Sequence, residues 1–147
     1  MKTVFDDRVR NELLSRVERL TNTARPMWGK MNAEQMTAHL TESLRMATGE
    51  ITPKSKNLPM RFAPLRQLVV YWLPWPKGAP TAPELLPADC GTVERNKAEI
   101  ARLLGEVGGR GSQKQWPQHP AFGNLGRRGW GALIWRHCDH HLRQFGV

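Results

Sequence analysis

The residues best suited to chemistry in this chain are its histidines. His137 and His141 stand four apart in the stretch WGALIWRHCDHHLRQFGV, residues 130–147. At about 100° per helical residue, Trp130, His137, His141 and Gln144 share a narrow arc, with Leu133 and Ile134 beside them. Two imidazoles one turn apart on one face can share a metal ion. A third ligand has to come from another element. His39 is the best candidate, because it lies beside Met36 and Leu40 on the apolar stripe of a second amphipathic segment. Three neutral imidazoles leave a coordination position open for water or substrate, the arrangement of a catalytic rather than a closed structural metal. A divalent ion there would act as a Lewis acid and lower the pKa of its bound water toward about 7. Zinc, nickel, iron and copper all suit three imidazoles; zinc or nickel is the expectation.

Three further residues are placed to support such a site. Glu42 follows His39 by nearly one turn and could hold its free ring nitrogen. Gln144 has the azimuth for a hydrogen bond to a ligand, and His140 sits about 60° off His137, at the edge of the face. His119, between Gln118 and Pro120 in backbone unsuited to a helix, is the remaining histidine. The plainer alternatives stand beside these. An HxxxH pair arises often by chance, a lone inward histidine is commonly a core or capping residue, and Glu42 also reads as a solvated surface acid.

Four amphipathic helices have to position these groups. The first covers residues 4–21, with Phe5, Val9, Leu13, Val17 and Leu20 at helical spacing, Thr3 as its cap and Asp6 in its first turn. The second begins at an Asn32/Gln35 capping box, with Met31 and Met36 as a hydrophobic staple, and runs to Thr48 before a Gly49 C-cap. The third covers residues 91–107, its stripe made by Val93, Ile100, Leu104 and Val107 with Leu103 at the edge, capped by Asp89 or Thr92 and stopped by Gly108 and Gly109. The fourth runs from Gly126 or Arg127 to Gln144. Between the second and third lies a proline-rich connection, residues 50–87. Residues 65–73 read there as a helix of two turns. PWPKGAPTAPELLP after it reads as a long ordered wrap, since Trp72, Trp75, Leu85 and Leu86 need somewhere to pack.

Composition bounds the function. The chain has 147 residues, a length that suits a single domain with one core. No apolar run approaches the roughly 18 residues of a membrane span. The opening MKTVFDDRVR puts acids where a signal peptide needs its apolar segment, so a cytoplasmic protein is expected. Cys90 and Cys138 have no CxxC spacing and read as buried thiols. The net charge is +9, but the basic residues are scattered and form no run of five. A solvated basic surface explains them; an anionic small substrate and a nucleic acid are the alternatives. No nucleophile elbow, P-loop or dinucleotide fingerprint is present.

Four blocks go further: WGKMNAEQMTAHL (residues 28–40), YWLPWPKGAPTAPELL (71–86), WPQHPAFG (116–123) and WRHCDHHLRQFG (135–146). Through them the chain resembles the DinB-like superfamily of four-helix-bundle proteins, and within it a bacterial branch that is a domain of unknown function. The resemblance implies one metal-ligand histidine in the second helix and an HxxxH pair in the last, which fall on His39, His137 and His141. It also implies relatives that are metal-dependent thiol transferases, or an isomerase using a low-molecular-weight thiol, in which the metal activates a thiolate. Many such relatives are dimers. The superfamily is named after a DNA-damage-inducible protein, which implies no DNA binding. In one departure the last helix lacks a Ser or Thr cap, so Asn124 or a glycine must serve.

The expectation is an all-α, DinB-like four-helix bundle over residues 1–147. It would hold a divalent metal and act on a small molecule as a metal-dependent transferase or hydrolase. The alternative is a non-catalytic, stress-related helical bundle that binds a partner or ligand, with nucleic-acid binding ranked below both.

Overall fold

The computed structural model describes residues 1–77, 85–113 and 115–147. The chain is all-helical, and no strand forms among the described residues. Its helices are α1 (Asp7–Glu18), α2 (Ala33–Thr48), the short α3 (Leu65–Gln67), α4 (Val93–Gly109) and α5 (Gly126–Gln144). The four long helices touch in a ring: α1 on α4, α4 on α2, α2 on α5, and α5 back on α1. Their apolar stripes meet inside it. Leu13 and Val17 from α1, Met36, Leu40 and Leu44 from α2, Ile100 and Leu104 from α4, and Trp130 and Leu142 from α5 are all buried. Each fully buried side chain of this size contributes about 1.5–3 kcal/mol, so the core and not helix propensity holds the ring together.

The helix ends follow local chemistry. Asn32 and Gln35 close the expected capping box on α2, at 3.0 and 2.8 Å, and Gly49 ends the helix at φ 78°. Thr92 caps α4 by accepting from Arg95 N–H. Asp89 instead accepts from Gly91 N–H in the turn before it. Asn124 accepts from Gly126 N–H at the start of α5. The cap of α1 differs from expectation. Asp6 takes that role, accepting from Arg8 and Val9 N–H, and the helix is shorter at both ends than residues 4–21. Thr3 is committed elsewhere: with Phe5 it lies on the bare backbone of Gly131 in α5, where any Cβ would collide with both side chains. The backbone bond from Val4 N–H to Gly131 O seals that contact. Gly131, which had no role in the sequence reading, is thus a close-packing position.

α3 is the short helix expected over residues 65–73, but it widens into a π-type turn at Leu68–Trp72. Only Val70 of it is buried. Trp75 follows, its indole N–H donating to Val69 O. The wrap expected over residues 74–87 falls in part on residues 78–84, which lie outside the described residues; on either side of them Trp75, Pro76, Leu85 and Leu86 line a cavity. No helix among the described residues is long and apolar enough to cross a membrane.

Candidate metal centre

His39 leaves α2 toward α5, and His137 and His141 leave α5 toward α2. The three rings come together, with ring centroids 4.8–4.9 Å apart. His39 and His141 are buried and His137 is half-buried. Their Nε2 atoms converge: His39 to His137 at 2.9 Å and His141 to His137 at 3.1 Å. One ligand atom from each lies within 4.8 Å of the others, so the three histidines could hold a metal ion. Ligand nitrogens about 2.0–2.1 Å from a tetrahedral zinc stand roughly 3.3 Å apart, the same scale.

The ring protons decide what the centre offers. His39 Nδ1 faces Leu85 O at 3.1 Å. A carbonyl oxygen only accepts, so Nδ1 carries the proton and Nε2 presents a lone pair. His141 Nδ1 faces Gln144 Oε1 at 2.8 Å. The Gln144 amide is oriented by its other end, where Nε2 donates to Trp28 O at 2.6 Å. Hence His141 Nε2 also presents a lone pair. His137 Nε2 meets both, and one proton on it can satisfy only one. The trio is therefore under-protonated for its own contacts, and a cation at its centre would satisfy all three nitrogens. Burial pushes all three imidazoles toward the neutral form. His39 is lowered, His137 is well below the usual range through burial and then His141, and His141 falls to about 3 through burial and then His39. Neutral imidazole is the ligating state.

The supporting residues divide. Gln144 bonds a ring of the trio. Glu42 does not: its carboxylate pairs with Arg45 at 2.8 Å, and the His39 nitrogen expected to meet it bonds Leu85 instead. The geometry of a helix explains this, since a residue three on is rotated away from the α5 face toward α4. His140 stands beside the trio, its ring 5.1 Å from His141 and 6.0 Å from both Trp28 and Trp75. It walls the centre without joining it. Cys138 is buried and its thiol is pushed up to about 12 by burial, which leaves it an inert neighbour. Three contributions had no side-chain signal to find: the carbonyls of Leu85 and Trp28, and Gly29, whose φ of 83° and missing Cβ make room for the Gln144 amide.

The trio opens on a cavity of about 900 Å³ between α2, α5 and the connections. Leu40, Leu44, Met60, Val69, Leu133 and Ile134 give it apolar walls, and Trp75, Pro76, Leu85 and Leu86 close one side. His119 lines it as well. Through Trp28, Trp75 and His140 it adjoins a second groove of about 430 Å³ that also carries Tyr71, Trp72 and Trp135.

A family model described as "Protein of unknown function (DUF1569)" matches residues 5–146. The chain belongs to the DUF1569 family. The match spans all five helices, so the centre of this DUF1569 chain lies wholly within the family's domain. No curated protein and no solved structure matches the chain.

Proposed function

We propose that this DUF1569 protein is a DinB-like four-helix bundle and a metal-dependent enzyme. It holds one divalent ion, zinc or nickel, on His39, His137 and His141 and acts on a small molecule as a transferase or hydrolase. The ring of α1, α4, α2 and α5 supports the bundle. The observation that carries the metal is the pair of committed Nδ1 protons. Leu85 O and Gln144 Oε1 turn two lone pairs inward, toward a third nitrogen, and among the described residues no carboxylate bonds any of the three rings. Such outer hydrogen bonds are how ligating histidines are oriented and made more basic.

A bound ion would supply Lewis acidity and lower the pKa of an oxygen or sulfur ligand toward neutrality. The chain supplies the rest. Leu85 and Gln144 fix two rings, Trp28 fixes Gln144, and apolar walls line the space a reactant would occupy. A low-molecular-weight thiol is the first cosubstrate to try, on the strength of the resemblance to thiol-using DinB-like proteins.

The test is metal analysis of protein purified without a histidine tag, beside His137→Ala. The expected result is one equivalent of metal per chain in the wild type, none in the variant, and a rise in melting temperature on adding zinc in the wild type alone. A wild type that takes up no metal, with a variant of equal stability, sinks the reading.

A further inference from the structure

His119 has no part in the trio, yet its ring is held as firmly. It sits in the turn of residues 117–123, closed by paired backbone bonds between His119 and Gly123 at 2.9 and 2.8 Å. Its Nδ1 accepts from two backbone donors, Ala121 N–H at 3.1 Å and Phe122 N–H at 3.2 Å. A nitrogen that accepts twice has no proton, so in the neutral ring the proton is on Nε2. Burial and then Arg61 lower this imidazole to about 4, which keeps it neutral. The Nε2–H donor has no acceptor among the described residues. It is not one of the buried polar atoms left without a partner, so it is open to water or to a ligand that enters the cavity.

Its place in the cavity sets a distance. The ring packs 5.4 Å from that of Trp130, and Trp130 precedes His137 on α5 by seven residues. At 1.5 Å per residue that is about 10 Å along the helix. Leu133 and Ile134 lie between the two ends, and Leu40 and Leu44 line the same cavity from α2. One cavity thus has three lone pairs near His137, apolar walls along α5 and a fixed N–H donor beside Trp130; Trp28, whose buried indole N–H has no partner among the described residues, lines it as well.

We infer that the molecule this site takes is elongated and apolar in its middle, with a metal-binding head at the trio and an acceptor oxygen at its far end bonded to His119 Nε2–H. The inference rests on the proposed metal site for its head and on His119 alone for its tail. His119 is a specificity residue: it selects an uncharged or anionic oxygen and rejects a hydrocarbon or ammonium terminus.

The probes are octanohydroxamic acid and its counterpart of equal length ending in a methyl ketone, titrated calorimetrically into zinc-loaded protein. The ketone should bind about tenfold tighter, the effect of one good hydrogen bond. In His119→Asn the side-chain oxygen can still take the turn's N–H groups, but the distant donor is gone. The ketone's advantage should vanish there while zinc content and the affinity for acetohydroxamic acid stay unchanged. Equal binding of both probes to the wild type, or an advantage that survives in a folded His119→Asn, overturns the inference. Zinc content, measured first, judges the metal reading separately. If zinc does not bind, methyl pentyl ketone against heptane in the metal-free protein tests the acceptor end, with the same preference expected and its absence overturning it.

Discussion

Helix α2 carries two polar clusters less than a turn apart, and they are built on opposite plans. On the side facing α4, Arg45 pairs with Glu42 at 2.8 Å and Glu99 at 3.0 Å. Arg102 pairs with Glu99 at 2.9 Å, Glu50 at 2.7 Å and Glu106 at 3.0 Å. Every charge there meets its opposite, and Glu99 is held down at about 2 by Arg102 and Arg45. On the side facing α5, His39 meets two more imidazoles and, among the described residues, no carboxylate bonds any of the three. The first cluster pairs its charges within the fold, with Arg45 Nε alone of its nitrogens buried without a hydrogen bond among the described residues. The second is arranged around something it does not itself contain. A polar group that satisfies itself explains a fold, while one positioned at some cost and left unmet points to a ligand.

Substitutions can break this contrast or sharpen it. The largest effect is expected at the trio. His137→Ala should lower zinc affinity by more than about 100-fold, beyond the 10–100-fold typical of outer partners, measured by competition with a chromophoric chelator. Gln144→Leu removes the acceptor for the His141 proton and the bond to Trp28 O, but no ligand nitrogen. It should cost about 10–100-fold in affinity with the stoichiometry kept, and an unchanged affinity would mean that the bond does not orient the ring. His119→Gln bears on acid stability. In the wild type the folded ring titrates near 4 against an ordinary 6.5. The unfolded chain therefore takes up the proton first, and stability is full above 6.5 and declines as the pH falls toward 4. Melting temperatures of the metal-free variant should fall less steeply across that window. The smallest effect belongs to the other cluster. Glu99→Gln should cost about 1 kcal/mol or less in chemical denaturation at neutral pH, because its pairs are partly solvated. That contribution is present above the ordinary carboxyl value of 4.5 and is lost as the pH falls toward 2. Zinc affinity should not move. If it does, the two clusters are coupled and the contrast fails.

The long helices were readable because their burial follows a period that the residues spell out, as in Val93, Ile100, Leu104 and Val107. The meeting of His39 with His137 and His141 was readable for the same reason: each lies on an inward stripe, and two inward stripes in one ring face each other. What escaped the sequence was contact through backbone. Leu85 and Trp28 act through carbonyl oxygens, which no side-chain pattern records. Glu42 was placed by its spacing from His39, but spacing does not say that Arg45 and Glu99 would compete for that side of the helix. Thr3 was a plausible cap until Gly131 offered it a surface to lie on. His119 was hidden by its neighbour Pro120, which marks the backbone as irregular without saying that the turn would fix the ring.

Gly29 carries a consequence for how this family's members should be sorted. Its α carbon lies against the Gln144 amide, so an added methyl group would displace the side chain that holds the His141 proton, besides straining a backbone at φ 83°. A homologue with alanine there could keep all three imidazoles and still be a poor metal binder. Classifying members by their histidines alone would count it as intact; the diagnostic signature has to include the glycine ten residues before His39.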